Sequence, residues 1–388
     1  MPGYEIIDKK EFEQVSEIFK KSKTLFRMGF DLQRKGIFKV QEFEKKFAKK
    51  LSSNFSLAVT SGTAALRVAL STLNLKKNDE IITQSFTFVA TVEAIVEARA
   101  VPVCTEIDKT LNMCPESLVK KITKNTKAVI AVHMLGVPCK IDKIRDICKK
   151  KNITLIEDTA WGCGAKFKDK YLGTWGDIGA FSFDFAKTIT TGEGGMLLFK
   201  SKEKFQLAKA WHDHGHENNP NFPRWEDTRK SSGFNFRMTE MQGAVGLAQL
   251  KKLHYIVKKQ KSNYEKIWNK IEKIPGVESR KIPKGSKISA DALIFFVKTK
   301  SLAKKCRKIL LENKISTKIL PEAFTWHFAG EWHHIKELKK KHPNLKNTFV
   351  SSKKLIERSV SIPIFVKMDT SFPGKVETSI KKALGLKP

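Results

Sequence analysis

The sequence predicts an α/β fold in which a mainly parallel, seven-stranded sheet carries helices on both faces and is followed by a smaller α+β domain. Between residues 55 and 200, short apolar runs alternate with amphipathic stretches, a pattern typical of such sheets. A long helical stretch over Thr239–Lys273 separates this region from a second pattern of strand and helix that restarts near Asp291. The length of 388 residues also suits two domains.

Seven apolar runs predict the strands of the larger domain, and amphipathic stretches predict the helices between them. Leucines at helical spacing predict the first helix over Ala64–Leu75, and further helices are expected over about Val89–Arg99 and Asp142–Lys151. The strands are predicted over Phe55–Thr60, Glu80–Thr83, Val101–Ile107, Lys127–Met134, Thr154–Glu157, Ala180–Phe183 and Met196–Phe199.

The second domain is predicted from a strand at Ala292–Lys298, a helix at Leu302–Asn313 and a last helix near Val376–Leu384. We therefore place a large domain at residues 1–250 and a small α+β domain at 251–388. The N-terminal segment 1–35 is mostly polar helix and is expected to pack on the small domain.

The formal net charge is +33, from 73 Lys and Arg against 40 Asp and Glu. Such a field attracts nucleic acid, anionic membranes or an anionic substrate. The excess is mostly lysine spread along the whole chain, whereas a nucleic-acid reader concentrates arginine and aromatic residues on one element. We therefore expect no specific nucleic-acid binding.

The cysteines and the apolar runs indicate a cytoplasmic protein. None of the six cysteines forms a C-x-x-C pair, which argues against a disulfide framework or a zinc ribbon and suits a reducing compartment. No apolar run has the length needed to cross a bilayer, so membrane insertion is not expected. The N-terminus lacks the apolar region of a secretory signal.

Polar features follow the predicted strands at the edge where open α/β sheets bind ligands. Small residues in Thr60–Ala65 separate a strand from a helix, which suits a phosphate or an ordinary capped helix. Asp158 follows an apolar strand, where a carboxylate can bind a metal, a ribose or a protonated ring nitrogen, or cap the next segment. Polar and aromatic residues alternate in Gly233–Glu240 before a helix, and a helix cap explains this pattern as well.

Lys187 provides the strongest signal of chemistry. It lies within Phe183–Met196, after a buried strand and before a glycine-rich turn. Desolvation in a semi-buried pocket lowers the pKa of a lysine, and a neutral amine can form a Schiff base. In a chain this rich in lysine, the flanking small residues and glycines are what favour a functional role.

Together these features resemble the sugar aminotransferases of the DegT/StrS type, which share the aspartate-aminotransferase fold of pyridoxal-phosphate enzymes. The resemblance covers nearly the whole chain and includes Gln84–Thr91, Val132–Gly136 and Gly173–Phe183 in this order and spacing. It implies a PLP-dependent transferase fold and the cofactor pyridoxal 5'-phosphate, which alternates between its aldehyde (PLP) and amine (PMP) forms.

The resemblance implies two catalytic residues. Lys187 matches the Schiff-base lysine, and Asp158 matches the acid that pairs with the pyridine nitrogen. A carboxylate there favours the protonated ring, which is the better electron sink. Lys187, once displaced by the amino donor, can move the proton as general acid and base. A related group of dehydratases has histidine in place of this lysine, so Lys187 argues against dehydration.

Further residues match the family's cofactor contacts. Gly62, Thr63 and Ser182 match the phosphate cradle, and Phe88 matches the aromatic residue that stacks on the cofactor ring. Asn235 matches a residue that reaches the cofactor phosphate of the neighbouring subunit, so a homodimer with shared active sites is expected.

One position near the cofactor departs from the family pattern. The family usually has Gln or His three residues after the acid, near the ring oxygen of the cofactor. This chain has Trp161 there. The indole is expected to contact the cofactor, where it can stack or reshape the substrate side.

Several stretches are similar to a narrower subgroup, the aminotransferases that make 8-amino-3,8-dideoxy-manno-octulosonate. They are Met1–Glu5, Phe26–Asp31, His212–His216 and Trp332–Ile335. The similarity suggests an anionic keto sugar acid that is not carried on a nucleotide.

The candidates for binding the carboxylate and hydroxyls of this sugar are Arg27, His214, His216 and Arg237. Arginine suits a carboxylate because its planar fork donates two parallel hydrogen bonds. The histidines at alternate positions of His212–His216 do not form one helical face, and we expect no metal site. Trp326 and His327, with the Trp332–His334 run, either line the sugar pocket or pack as amphipathic aromatic residues.

The expected reaction moves an amino group from an amino acid, glutamate, to 8-oxo-3-deoxy-manno-octulosonate, giving 8-amino-3,8-dideoxy-manno-octulosonate for lipopolysaccharide. One alternative is transfer to a nucleotide-linked keto sugar, as in perosamine synthesis. Another is a non-catalytic PLP-binding regulator, which the presence of both Lys187 and Asp158 disfavours. A basic nucleic-acid-binding protein would leave both residues unexplained.

Overall fold

A seven-stranded sheet forms the centre of the larger part of the protein, in a computed structural model that describes residues 2–219 and 221–387. Met1 of the Met1–Glu5 motif lies outside the described residues. The strands of this sheet and of two smaller three-stranded sheets are, in chain order, β1 (Phe55–Val59), β2 (Glu80–Gln84), β3 (Val101–Thr105), β4 (Thr126–Val132), β5 (Thr154–Asp158), β6 (Lys166–Phe167), β7 (Lys170–Tyr171), β8 (Ile178–Ser182), β9 (Gly195–Phe199), β10 (Glu278–Ser279), β11 (Ser286–Lys287), β12 (Ala292–Phe296) and β13 (Ser359–Pro363).

The large sheet has the strand order β1-β9-β8-β5-β4-β2-β3. Strand β9 runs antiparallel to both its neighbours, and the other neighbouring pairs are parallel. The predicted seven-stranded, mainly parallel sheet is therefore confirmed. The parallel strands end at one common edge, which is the edge that binds ligands in open α/β sheets.

Helices cover both faces of this sheet and also pack beside the sheet of the smaller domain. The second helix, α2 (Lys9–Glu17), continues into a π-helical turn at Ile18–Ser22. The helices are α1 (Pro2–Glu5), α2 (Lys9–Glu17), α3 (Asp31–Arg34), α4 (Lys39–Leu51), α5 (Gly62–Ser71), α6 (Ala90–Glu97), α7 (Pro115–Lys121), α8 (Ile141–Lys150), α9 (Lys202–Trp211), α10 (Glu240–Ile271), α11 (Lys300–Glu312), α12 (Phe324–His327), α13 (Lys336–Lys341), α14 (Leu345–Thr348), α15 (Val350–Glu357) and α16 (Phe372–Leu384).

The two faces of the sheet bury different helices because side chains alternate along a strand. In β4, Ala128 and Ile130 pack in one apolar layer with residues of α5, α6 and α9. Val129 and Ala131 face the opposite layer, which contains residues of α7 and α8. Burial on both faces explains why the strands are continuous apolar runs in the sequence.

Local interactions explain where predicted and observed elements end. The helix predicted over 64–75 spans Gly62–Ser71, because the Ser61 hydroxyl accepts a hydrogen bond from the Ala64 amide at 3.0 Å and caps its first turn. The strand predicted over 127–134 ends at Val132, because a 3-10 turn follows in which Leu135 has φ = 53°.

Helix α10 joins the two parts of the protein. It spans 32 residues and begins at a capping box in which Thr239 and Gln242 satisfy each other's backbone amides. The helix packs against α4 and α2 and also against α16 of the smaller domain. The boundary that we place at residue 250 therefore falls inside one continuous helix.

The smaller domain contains a three-stranded antiparallel sheet with the order β10-β12-β13. Helices α11 and α16 pack together beside it, and Leu293, Phe295, Val360 and Ile362 lie in the same buried core. Within residues 2–219 and 221–387, every helix is too short or too polar to cross a bilayer.

The N-terminal segment runs along α10 and touches both parts of the protein. Glu11 of α2 binds Lys252 at 2.8 Å, and this ion pair fixes α2 on α10. Glu5 accepts hydrogen bonds from the amides of Val366 and Lys367 at 2.9 Å, which is a contact with the smaller domain.

Candidate active site

A cavity of about 480 Å³ opens at the carboxyl ends of β5 and β8, beside the start of α5. Its wall includes most of the residues that the sequence singles out for cofactor chemistry, together with three residues of the 318–327 segment. The lining residues are Ser61, Gly62, Thr63, Leu66, Thr87, Phe88, Ala90, Thr91, Asp158, Ala160, Trp161, Ser182, Asp184, Lys187, Glu193, Lys318, Ile319 and His327.

Lys187 lies in a turn that backbone hydrogen bonds hold in place. Its amide donates to the Asp184 carbonyl at 3.0 Å, and the Asp184 carboxylate accepts from the Ala186 amide at 2.9 Å. The Lys187 Nζ atom lies 3.4 Å from the centre of the Trp161 ring. Desolvation lowers the pKa of Lys187 to about 8, in spite of the attraction of nearby carboxylates. The amine thus loses its proton much more easily than an exposed lysine.

Asp158 ends β5 and points into the same cavity. Its Oδ2 atom accepts a hydrogen bond from the Thr91 hydroxyl at 3.1 Å, and its Oδ1 atom accepts one from the Ala160 amide at 3.1 Å. Burial raises the pKa of Asp158, and the two hydrogen bonds partly offset this effect. Each carboxylate oxygen keeps a free lone pair, so the group can receive a protonated ring nitrogen.

The start of α5 approaches β8 closely enough to form a cradle for a phosphate. A side chain at Gly62 would place its Cβ atom 2.7 Å from the Cβ atom of Ser182, so only glycine fits there. Thr63 and Ser182 line the cavity beside it. Backbone amides at a helix start and hydroxyl groups are suitable partners for a phosphate.

Aromatic side chains form two sides of the cavity. Trp161 lies under the Lys187 amine, and its carbonyl accepts a hydrogen bond from Ser289 at 3.0 Å. Phe88 is 39% exposed and stacks on Trp326, with ring centres 6.2 Å apart and an angle of 13°. His327 tilts against Phe88 at 5.3 Å, and burial lowers the pKa of His327 to about 4.

Arg27 does not line this cavity. It is buried, forms an ion pair with Glu44 and donates to the Ala58 carbonyl at 2.8 Å. The His212 ring lies 3.1 Å from the same guanidinium. The expectation that Arg27 contacts the sugar is therefore corrected, since its fork is occupied by groups of its own chain.

The remaining sugar candidates lie on a surface loop outside the lining of this cavity. Arg237 pairs with buried Asp213, and His216 lies 3.2 Å from Asp227. The Arg224 and Arg237 guanidiniums hold the pKa of Asp213 at about 2 against the effect of its burial. His214 is exposed and has φ = 55°. Within the chain, the structure thus brings neither these residues nor Asn235 to the cavity.

Several lining residues are absent from the sequence-based assignment of roles. Thr91 lies in the Gln84–Thr91 motif, and its proximity to Asp158 requires knowledge of how α6 and β5 are placed. Lys318 and Ile319 carry no sequence signal, since lysine is abundant and Ile319 is distinguished only by φ = 73°. His327 lines the cavity, whereas Trp332 is fully buried in the core.

The sheet, the lysine turn opposite a carboxylate at a strand end, and the adjoining smaller domain define a pyridoxal-phosphate-dependent aminotransferase. The profile of the DegT/DnrJ/EryC1/StrS aminotransferase family matches residues 8–381. The chain belongs to this family, whose members include sugar aminotransferases that use pyridoxal phosphate.

Individual relatives are similar over different lengths. An uncharacterized protein of Methanocaldococcus jannaschii is 33% identical over 359 residues, which are 89% of each chain. The GDP-perosamine synthase of Escherichia coli O157:H7 is 40% identical over 212 residues, 54% of this chain and 57% of that enzyme. The structure of an aminotransferase from Psychrobacter cryohalolentis superposes with a TM-score of 0.86 and 26% identity, covering 98% of this chain and 97% of that one.

Proposed function

We propose that this enzyme transfers the amino group of L-glutamate to 8-oxo-3-deoxy-manno-octulosonate and forms 8-amino-3,8-dideoxy-manno-octulosonate for lipopolysaccharide. The observation that carries the aminotransfer is the placement of Lys187 and Asp158 in one cavity at the carboxyl edge of the sheet. The octulosonate subgroup motifs support an anionic sugar acceptor.

Lys187 and Asp158 divide the chemical work. When bound, pyridoxal phosphate supplies the electron sink for the negative charge that develops at the substrate Cα. Asp158 keeps the ring nitrogen protonated, and Thr91 and Ala160 orient its carboxylate. Lys187, with a pKa of about 8, accepts the proton from the donor carbon and returns it as general acid.

The sugar acceptor is supported by the aromatic side chains at the mouth of the cavity. Trp326 is 58% exposed and stacks on Phe88, which lines the cavity. An exposed aromatic face beside a cavity that contains hydroxyl and carboxylate groups suits a sugar, because the ring packs on its C–H groups while the hydroxyls reach polar partners.

Asn235 acts in the site of a second subunit in this proposal. His214 and Asn235 lie on neighbouring backbone segments, since Asp213 forms an isolated β-bridge with Asn235 and the His214 amide donates to the Phe234 carbonyl at 3.2 Å. A surface loop that lies outside the cavity of its own chain but carries polar side chains is suited to complete the site of a partner subunit. Arg237 and His214 would then meet the sugar from the partner's side.

Mixing two inactive variants tests this shared site. Lys187→Ala and Asn235→Ala homodimers are mixed after mild denaturation and refolding. Each heterodimer regains one complete site, and so about half of the activity of a wild-type dimer, if Asn235 serves the partner, because one of its two sites then has both residues. Mixtures that stay as inactive as the separate variants, while exchange of labelled subunits is verified, contradict the arrangement.

Transfer to a nucleotide-linked keto sugar is the second candidate. It is favoured by GDP-perosamine synthases of three bacteria, which are 37–40% identical over 54–56% of this chain. A non-catalytic pyridoxal-phosphate-binding regulator is disfavoured because it has no need for both Lys187 and Asp158.

A substrate panel decides between the two acceptors. The purified enzyme is supplied with glutamate and either free 8-oxo octulosonate or GDP- and dTDP-linked keto sugars, and the formation of 2-oxoglutarate is followed. We expect turnover with the free sugar acid. Turnover restricted to a nucleotide-linked sugar would replace the octulosonate by that sugar as the proposed acceptor. An absence of turnover with every keto sugar would favour the non-catalytic regulator.

A further inference from the structure

A second lysine from the smaller domain faces the active-site cavity. Lys318 lines the cavity wall, and its Nζ atom lies 5.0 Å from the centre of the Trp161 ring. Lys187 and Lys318 are the only lysines or arginines among the described residues that line the cavity. Because the proposed reaction uses the Lys187 amine to transfer a proton, Lys318 is the remaining cationic side chain in this lining that can bind a negatively charged substrate group.

A buried carboxylate holds Lys318 in position. The Asp291 Oδ1 atom accepts a hydrogen bond from Lys318 Nζ at 2.8 Å, and Asp291 is 1% exposed. Asp291 is not part of the cavity lining, so it supports the amine from behind. An ammonium group has three N–H donors, and Asp291 uses one, which leaves two for a ligand. The lysine is thus preorganised, which reduces the entropy lost on binding.

The two lysine amines lie close enough together to contact one small substrate. Both amines lie near the same indole, so the sum of their distances to its centre limits their separation to 8.4 Å. In an α-amino acid the amino nitrogen is about 3 Å from a carboxylate oxygen, and a hydrogen bond adds about 2.8 Å. A cation about 6 Å from the reacting nitrogen can therefore bind the α-carboxylate.

We propose that Lys318 is the specificity-determining residue that binds the α-carboxylate of the amino donor, with Asp291 as its positioning residue. The inference rests on the proposed function only in taking an α-amino acid as donor. The C1 carboxylate of the octulosonate acceptor is separated from its reacting C8 by the length of the sugar. Lys318 therefore cannot bind the carboxylates of the amino donor and of the acceptor in the same position.

The test compares glutamate with its α-amide in the donor half-reaction, followed by the change in cofactor absorbance without any keto sugar. Wild type is expected to prefer glutamate over the α-amide, with a KM lower by about 10- to 100-fold, as for a charge-assisted hydrogen bond. Lys318→Gln should lose this preference and keep most of its kcat. Lys318→Arg should retain part of it, and the exposed Lys298→Gln in the same domain should behave as wild type.

Two further measurements separate recognition from folding. The double variant Lys318→Gln/Asp291→Asn leaves no unpaired buried charge, and it should show the same loss of preference with a normal melting temperature. The ligand 2-methylglutamate cannot lose an α-proton and so reports binding alone. Its dissociation constant, measured by calorimetry, should be higher for the double variant than for wild type by the same factor as the KM for glutamate. A wild-type preference for glutamate in the double variant, or a KM change confined to the keto sugar, would overturn the proposal. Failure of the octulosonate as acceptor would leave these measurements unaffected.

Discussion

The backbone amide of Gly3 donates a hydrogen bond to the backbone carbonyl of Lys187 at 3.1 Å. This N-terminal segment therefore supports the turn that carries Lys187, the proposed catalytic lysine. Tyr4 adds an aromatic contact, since its ring stacks on Phe185 with centres 5.1 Å apart. The next residue, Glu5, hydrogen-bonds to the smaller domain, so one short segment connects the lysine turn to both parts of the protein.

Gly3→Ala should disturb this turn. A Cβ atom at Gly3 would lie 2.9 Å from the Thr190 nitrogen and 3.0 Å from the Lys187 carbonyl oxygen, so the backbone must shift. We expect a loss of about 1–3 kcal/mol in the free energy of unfolding and weaker cofactor binding. The matched control is Gly374→Ala in α16, where a Cβ atom meets nothing within 4 Å. Equal behaviour of the two variants in urea unfolding and cofactor titration would contradict the role of Gly3.

The uptake of cofactor should depend on pH through Lys187. Burial lowers the pKa of Lys187 to about 8, so the reactive neutral amine is roughly one-tenth of the population at pH 7 and most of it above pH 9. The rate at which cofactor-free enzyme takes up pyridoxal phosphate should rise about tenfold between these pH values and then level off. Stopped-flow absorbance measures this rate.

Lys187→Ala serves as the control for the pH experiment. It should bind the cofactor without a pH-dependent uptake step of this kind, and borohydride should leave no covalent adduct by mass spectrometry. We expect transaminase activity to fall by about 10²–10⁴-fold or more. A covalent adduct on another lysine would show that Lys187 is not the reactive amine.

Asp158→Asn should reduce turnover with little effect on the fold. The amide has the shape of the carboxylate but no charge, so the ring nitrogen is no longer held protonated. We expect kcat to fall by about 10²–10⁴-fold while cofactor stays bound. Thr91→Val removes only one hydrogen bond to the carboxylate and should cost much less activity. Similar activities for Asp158→Asn and wild type would exclude the assigned role.

Arg27→Met should destabilise the protein without changing substrate affinity. The substitution leaves the buried Glu44 carboxylate unpaired, and burial already raises the pKa of Glu44. We expect a loss of about 3–5 kcal/mol in the free energy of unfolding at pH 7, measured by denaturant titration. The double variant Arg27→Met/Glu44→Leu should recover most of it. A selective rise in the KM of the keto sugar in either variant would instead support a contact with substrate.

Sequence reasoning singled out Lys187 and Asp158, which the structure brings into one cavity, because each residue has a local signal. Asp158 directly follows an apolar strand, and Lys187 lies between a strand and a glycine-rich turn. Arg27 shows the limit of this approach, since a single arginine in a polar segment looks the same whether it binds a ligand or a buried carboxylate 17 residues away. Lys318 gave no signal among so many lysines.

The sequence by itself determined the α/β class, the order of strands and helices, and the two residues at the strand ends, because periodicity and turn chemistry act over a few neighbouring residues. Only the tertiary structure decided which polar side chains face the cavity. It brings Lys318 and His327 from the smaller domain to Lys187, and it turns Arg27 inward to Glu44. These contacts join distant parts of the chain, and they form because a buried charge requires a partner wherever the packing places one.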